Sequence, residues 1–140
     1  MPAVNAVGRV MPVIINGRKI GPGFPAYIIA EAGSNHNGRL EQAKQLIQLA
    51  ASSGADAVKF QLFRASKLYP KTAGRSDYLN DARSIYDIVA EVEMPYEWVP
   101  ELAHACRHHG VTFLASAFDE IWMQPMGEVS EVTTSTATGS

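Results

Sequence analysis

The stretch YIIAEAGSNHNGRL, residues 27–40, decides how this sequence is read. Tyr27 to Ala30 is an apolar run of strand-forming residues and predicts a buried strand. It delivers Glu31 into a turn made of Gly33, Ser34, Asn35, His36, Asn37 and Gly38. A solvated turn accounts for the glycines and amides, but not for a carboxylate set directly after a buried strand. Alternation puts Tyr27, Ile29 and Glu31 on one face of that strand. Leu40, Ala43, Ile47, Ala50 and Ala51 then recur at helical spacing, with Asn37 as the expected cap and Gly54 as the stop.

Working outward, Pro12 to Ile15 and Arg18 to Ile20 are short runs separated by Asn16-Gly17, a strong hairpin signal because a type I′ turn needs positive φ at both central positions. Gly21, Pro22, Gly23 and Pro25 make a linker, so residues 1–25 form a hairpin and lead-in. Downstream, Ala57 to Gln61 predicts a second strand and residues 64–83 a long polar loop. Ser84 to Val92 predicts a short helix, and residues 95–109 another that starts at Pro100 or bends there. Val111 to Ser116 predicts a third strand. Residues 26–120 are thus strand-helix units of an α/β fold with a parallel sheet. Residues 121–140 break the pattern, and their Ser, Thr, Ala and Gly composition predicts a disordered tail.

The bulk numbers narrow the functional classes. A formal net charge of −2 gives no electrostatic case for nucleic acid. No run is apolar enough for a signal peptide or membrane span, and the lone Cys106 excludes a disulfide framework, so a cytoplasmic protein is expected.

Each predicted strand carries a polar residue at its carboxyl end on one common side. Lys59 and Gln61 share a face, as do Thr112, Leu114 and Ser116. Ligands of parallel α/β folds bind at that end, so Glu31, Lys59, Gln61 and Ser116 converge on one candidate pocket. A lysine there suits a phosphate or carboxylate, and a glutamate can orient water, take a proton or touch a metal. Against this stand the bland alternatives of a snorkelling edge lysine and a capping or solvated glutamate. Two other patterns are decoys. Gly33 and Gly38 have phosphate-loop spacing, but Arg39-Leu40 follows where Lys and Ser or Thr are needed. His104, His108 and His109 with Cys106 suggest metal, yet polar and cationic residues also suit the last turn of a helix through its dipole.

Four motifs in order, IIAEAGSNHNG, GADAVKFQ, LN followed by SIYDI, and FLASAFDE, make residues 10–120 similar to the N-terminal part of the N-acetylneuraminate (sialic acid) synthase family. The resemblance implies the first part of a (β/α)8 TIM barrel opened by a β-hairpin, incomplete at its C-terminus. It also implies condensation of phosphoenolpyruvate with an N-acetylated amino sugar to give a nonulosonic acid and phosphate. By position, Glu31 resembles the family glutamate beside the metal and reacting centre, and Lys59 a phosphoenolpyruvate-binding lysine. Ser116 stands at a hydroxyl position usually held by Thr. Asn80 matches an asparagine that contacts the acceptor sugar, although Leu79 replaces the usual glycine before it. Gln61 lies in the same motif as Lys59.

The family uses a divalent metal, manganese or magnesium, held by two histidines of later strands; these and a second phosphoenolpyruvate lysine have no counterpart here. No complete metal site is therefore expected in this chain. Full-length relatives are expected to be homodimers. The match stops near Glu120, about three of eight strands into a barrel that takes about 250 residues. From Ile121 the sequence resembles a frameshifted or truncated continuation, which would leave the third strand with an open edge. The expected product is an inactive, marginally folded segment of a synthase. Two alternatives stay open: a non-catalytic remnant that folds with a partner, and another phosphoenolpyruvate aldol-type barrel making a 2-keto-3-deoxy sugar acid.

Overall fold

The computed structural model describes residues 8, 10–75, 77, 81–118 and 132–134, the last three by their backbone. Strands β1 (Val13–Ile15) and β2 (Arg18–Ile20) form the predicted antiparallel hairpin. Asn16 and Gly17 both take positive φ, 47° and 78°, as this turn requires. The hairpin is tied to the amino ends of the strands that follow. Asn16 Nδ2 donates to Thr112 Oγ1 at 3.3 Å, and Arg18 forms an ion pair with Asp56. Arg18 Nη2 also donates to the Ala26 carbonyl at 3.1 Å, while Asp56 Oδ2 accepts from the Ile28 amide at 2.7 Å.

Four parallel strands follow in sheet order β3 (Ile29–Gly33), β4 (Ala57–Leu62), β5 (Thr112–Ala117) and β6 (Val132–Thr134). Three corrections to the sequence expectations arise here. The first strand begins two residues later than Tyr27, and Glu31 lies within it rather than after it. The apolar run is also not buried as expected, since Ile28, just before the strand, and Ile29 remain 53% and 44% exposed, and only Ala32 and Gly33 at its end are buried. The reason is position: among the described residues β3 pairs with β4 alone, so apolar composition marks an edge strand here and not a central one. The open edge expected at the third strand is instead taken by β6, whose backbone pairs with Ala115 to Ala117. Backbone pairing there draws on three residues from a region that composition alone assigns to a tail.

One face of the sheet carries the core. Alternation sends Val58, Phe60 and Leu62 of β4 to it together with Phe113, Ala115 and Ala117 of β5. Phe60 stacks on Phe113 with ring centroids 5.8 Å apart. Against this face lie α1 (Leu40–Ser52), through Ala43, Ile47 and Ala50, and a later helix through Val99, Leu102, Ala103 and Cys106. Between them come the single turn α2 (Ala65–Leu68), inside what polarity predicts as a loop, and α3 (Ile85–Glu91), capped by the Ser84 hydroxyl. The later helix, α4 (Val99–His108), follows a 3₁₀ turn at Tyr96–Trp98. Pro100 sits in its first turn, where a missing N–H costs nothing, so the helix starts there and does not bend. Asn37 does not cap α1. Its φ is 51°, and Arg39 takes the cap position without a side-chain bond. Among the described residues, no helix is long and apolar enough to cross a membrane.

The Asp56 carboxyl is held below its ordinary pKa, first by the Ile28 amide and then by Arg18. Its stabilising contribution is present above the unfolded-state value, near 3.8, and lost as pH falls through the folded-state value. Asp56→Asn should therefore lower the urea midpoint at pH 7, and the gap to the parent should shrink on acidification towards pH ~3. A gap independent of pH would show that the Asp56 charge does not anchor the hairpin.

Candidate functional site

The opposite face of the sheet is built in layers set by strand register. At the amino end, Ile29, Ala57 and Thr112 are in register, and Thr112 is buried beneath Asn16 of the hairpin. The next layer is Glu31, Lys59 and Leu114. Lys59 Nζ lies 2.9 Å from Glu31 Oε2, with the side chains 32% and 47% exposed. The carboxyl-end layer pairs Gln61 with Ser116, both partly exposed.

Between Glu31 and Gly33 the register slips by one: Glu31 pairs with Lys59, but Gly33 pairs with Phe60. This bulge shifts the phase of everything after it. Glu31 and Ser34 are three residues apart, and regular alternation would send them to opposite faces. With the slip, Ser34 arrives on the same side as Glu31, and its hydroxyl donates to Gln61 Oε1 at 3.4 Å. Gly33 makes the slip with φ of 55°, a conformation that L side chains adopt at a cost. The polar turn therefore joins the pocket through Ser34, which residue-type reasoning on the strands alone does not single out.

The structure thus brings together Glu31, Lys59 and Gln61, sets Ser116 beside Gln61, and adds Ser34. Asn80 lies outside the described residues. The histidines around Cys106 do not assemble. Cys106 points into the core with no exposed surface, and His108 packs edge-on against His109 at 5.2 Å. Among the described residues, no group of three or more His, Cys, Asp or Glu side chains is placed to hold a metal ion. A cleft of about 320 Å³ lies between β3 and α1, lined by Ile28, Ala30, Glu31, Leu46, Leu49 and Val58 among others. It is mainly apolar and, of the candidate site residues, takes in Glu31 but not Lys59, Gln61 or Ser116, so it borders the polar strand ends and does not coincide with them.

Comparison with known proteins decides the family. The NeuB family matches residues 46–132, more than half of the chain. This chain belongs to the NeuB family. It is 45% identical over 108 residues to the spore coat polysaccharide biosynthesis protein SpsE of Bacillus subtilis, covering 76% of this chain and 29% of that one. It is 40% identical over 111 residues to the N,N'-diacetyllegionaminic acid synthase of Legionella pneumophila, covering 76% and 31%. Among solved structures, it resembles the N-acetylneuraminic acid synthetase of Leptospira borgpetersenii, crystallised with citrate. That match has a TM-score of 0.65 and 28% identity, covering 79% of this chain and 35% of that one. The SpsE crystal structure gives a TM-score of 0.56 at 41% identity, covering 78% and 28%. The chain spans about a third of the length of these NeuB relatives.

Burial pushes the Cys106 thiol up to about 12, so in the folded NeuB segment it should be both inaccessible and protonated at pH 8. Ellman's reagent should leave it unmodified in buffer and modify it fully in urea. Rapid labelling without denaturant would show that α4 does not seat on the sheet as described.

Proposed function

We propose that the strand ends of this chain form the phosphoenolpyruvate-holding part of a nonulosonic acid synthase site, on what reads as the first portion of a (β/α)8 barrel. One observation carries this: a lysine and a glutamate in contact at 2.9 Å on the pocket face, followed by Ser34, Gln61 and Ser116 at the carboxyl end. The names of relatives support the product class, since the Legionella protein is an N,N'-diacetyllegionaminic acid synthase and human N-acetylneuraminate-9-phosphate synthase is 30% identical over 117 residues. The acceptor is then an N-acetylated amino sugar, and the reaction belongs to cytoplasmic carbohydrate synthesis.

In the proposed reaction the enol carbon of phosphoenolpyruvate forms a bond to the open-chain sugar aldehyde. Water adds at the carbon bearing phosphate, and phosphate leaves from the resulting tetrahedral centre. Lys59 meets the phosphate or carboxylate as a point charge. Glu31, released from Lys59 by the incoming anion, orients the water or accepts its proton. Ser34, Gln61 and Ser116 offer hydrogen bonds at the mouth, and Asn80 is proposed to reach the sugar. A divalent metal, where the family uses one, would polarise the aldehyde. The described residues do not fit that group: at the strand ends they offer the single carboxylate of Glu31, itself paired with Lys59. No step is assigned through it.

An exposed pair of this kind is worth about 0–1 kcal/mol, so Lys59→Ala should barely move the urea midpoint. It should, however, weaken phosphoenolpyruvate binding by about tenfold or more in calorimetry, the scale of one charge-assisted contact. Unchanged binding removes Lys59 from the site. The chain alone, supplied with manganese, phosphoenolpyruvate and N-acetylmannosamine, is expected to release no phosphate, because it spans about a third of its relatives. In a catalytically complete NeuB chain carrying these residues, Glu31→Gln should lower kcat by about 100-fold, a general acid–base contribution. Turnover near the parent rate would make Glu31 a structural residue.

A further inference from the structure

His36 carries the one side chain of the 33–38 turn that is fully buried, with no exposed surface. Its Nδ1 accepts the Gly38 amide at 3.1 Å, which fixes the proton of the neutral ring on Nε2. Nε2 is buried and has no hydrogen-bond partner among the described residues. The ring stands at 76° to Trp98, with centroids 5.6 Å apart, so the turn is packed on the 3₁₀ segment before α4. Burial also lowers the imidazole pKa, which keeps Nδ1 an acceptor at neutral pH.

The residues around it leave the turn little freedom. Asn35 donates from both its amide and its side chain to the Ala32 carbonyl at 3.0 Å, and Gln42 donates to the Asn35 carbonyl at 2.7 Å. Gly38 has φ of 69°, and a Cβ there would sit 3.0 Å from the Glu91 carbonyl at the end of α3. A buried histidine with an unsatisfied nitrogen is an expensive way to fill space, since an apolar ring would serve the core better. What the imidazole alone provides is an acceptor at the δ position combined with a flat ring.

We infer that His36 is a positioning residue, which by holding the Gly38 amide and resting on Trp98 fixes the turn so that Ser34 meets Gln61 at the pocket mouth. Its value as part of a catalytic site rests on the function proposed above; its effect on the turn does not. Two substitutions separate its two contacts. His36→Phe keeps a ring against Trp98 and removes the acceptor. His36→Asn restores an acceptor at the δ position and removes the ring.

Amide hydrogen exchange on the whole chain, read residue by residue by NMR, tests the placement. In His36→Phe the amides of Asn35, Asn37 and Gly38 should exchange about tenfold faster, the scale of one lost hydrogen bond, while those of β4 and α1 stay at the parent rate. His36→Asn should return Gly38 towards the parent rate. Faster exchange spread evenly over β4 and α1 would make His36 an ordinary core residue and overturn the inference. So would unchanged turn exchange in His36→Phe, or a parent chain whose β4 amides are unprotected. Calorimetry with phosphoenolpyruvate forms the second arm, with His36→Phe binding about tenfold more weakly and His36→Asn recovering most of the loss. If the parent binds no phosphoenolpyruvate, the proposed function fails while the exchange arm still decides the role of His36.

Discussion

On an uninterrupted strand, Glu31 and Ser34 would face opposite sides of the sheet, and the polar turn would contribute nothing to the pocket. The single slip at Gly33 removes that conflict. Before it, Glu31 is in register with Lys59; after it, Ser34 falls beside Gln61. The pocket face therefore reads Glu31, Lys59, Ser34, Gln61, Ser116, while Ala32, Val58, Phe60 and Phe113 stay on the core side. The place of Ser34 beside Gln61 depends on that one-residue phase shift, and Gly33 is the residue whose backbone makes it. His36 then takes up the next constraint, because a bulge that releases a strand early needs something to hold the turn that follows.

Stability is gathered at the other end of the strands. The hairpin reaches Asp56 just before β4 and Thr112 at the start of β5, so its contacts close the sheet where the chemistry is not. Asp56 also receives the Ile28 amide, which ties the segment leading into β3 to the same carboxylate. The division follows the general pattern of parallel α/β folds, with structure at the amino ends of strands and ligands at the carboxyl ends. It also means that substitutions around Asp56 and substitutions around Lys59 act on separate properties.

Much of this was legible in the sequence, for identifiable reasons. Asn16-Gly17 specified its turn because few dipeptides tolerate positive φ twice. Lys59 and Gln61 were readable as sharing one face of β4 because its period-2 alternation is regular and its other face is wholly apolar. Glu31 was placed on the right face for the right reason, although inside the strand and not after it. The failures come from information that is not local. Apolar residues at 27–30 predict burial only if both sides of the strand are covered, and sheet order determines that, not composition. The bulge was hidden because Gly33 looks the same in a turn as in a slip. His36 looked like one more turn residue, since nothing in its neighbours reports that Trp98, more than sixty positions later, lies beneath it.

The Glu31–Lys59 pair carries a further physical implication. A fully buried ion pair would have to be broken against a large desolvation cost before a ligand could use either partner. Here the side chains are 47% and 32% exposed, and a pair in that setting contributes about 0–1 kcal/mol. Such a contact keeps the lysine extended towards the carboxylate and aligned on the pocket face, yet yields to a dianion that offers the ammonium a stronger partner. Displacement would at the same stroke leave Glu31 without its counter-charge, beside the place where the ligand arrives. In the proposed site, the weakness of the pair would let one contact serve two roles, ordering Lys59 before binding and releasing Glu31 after it.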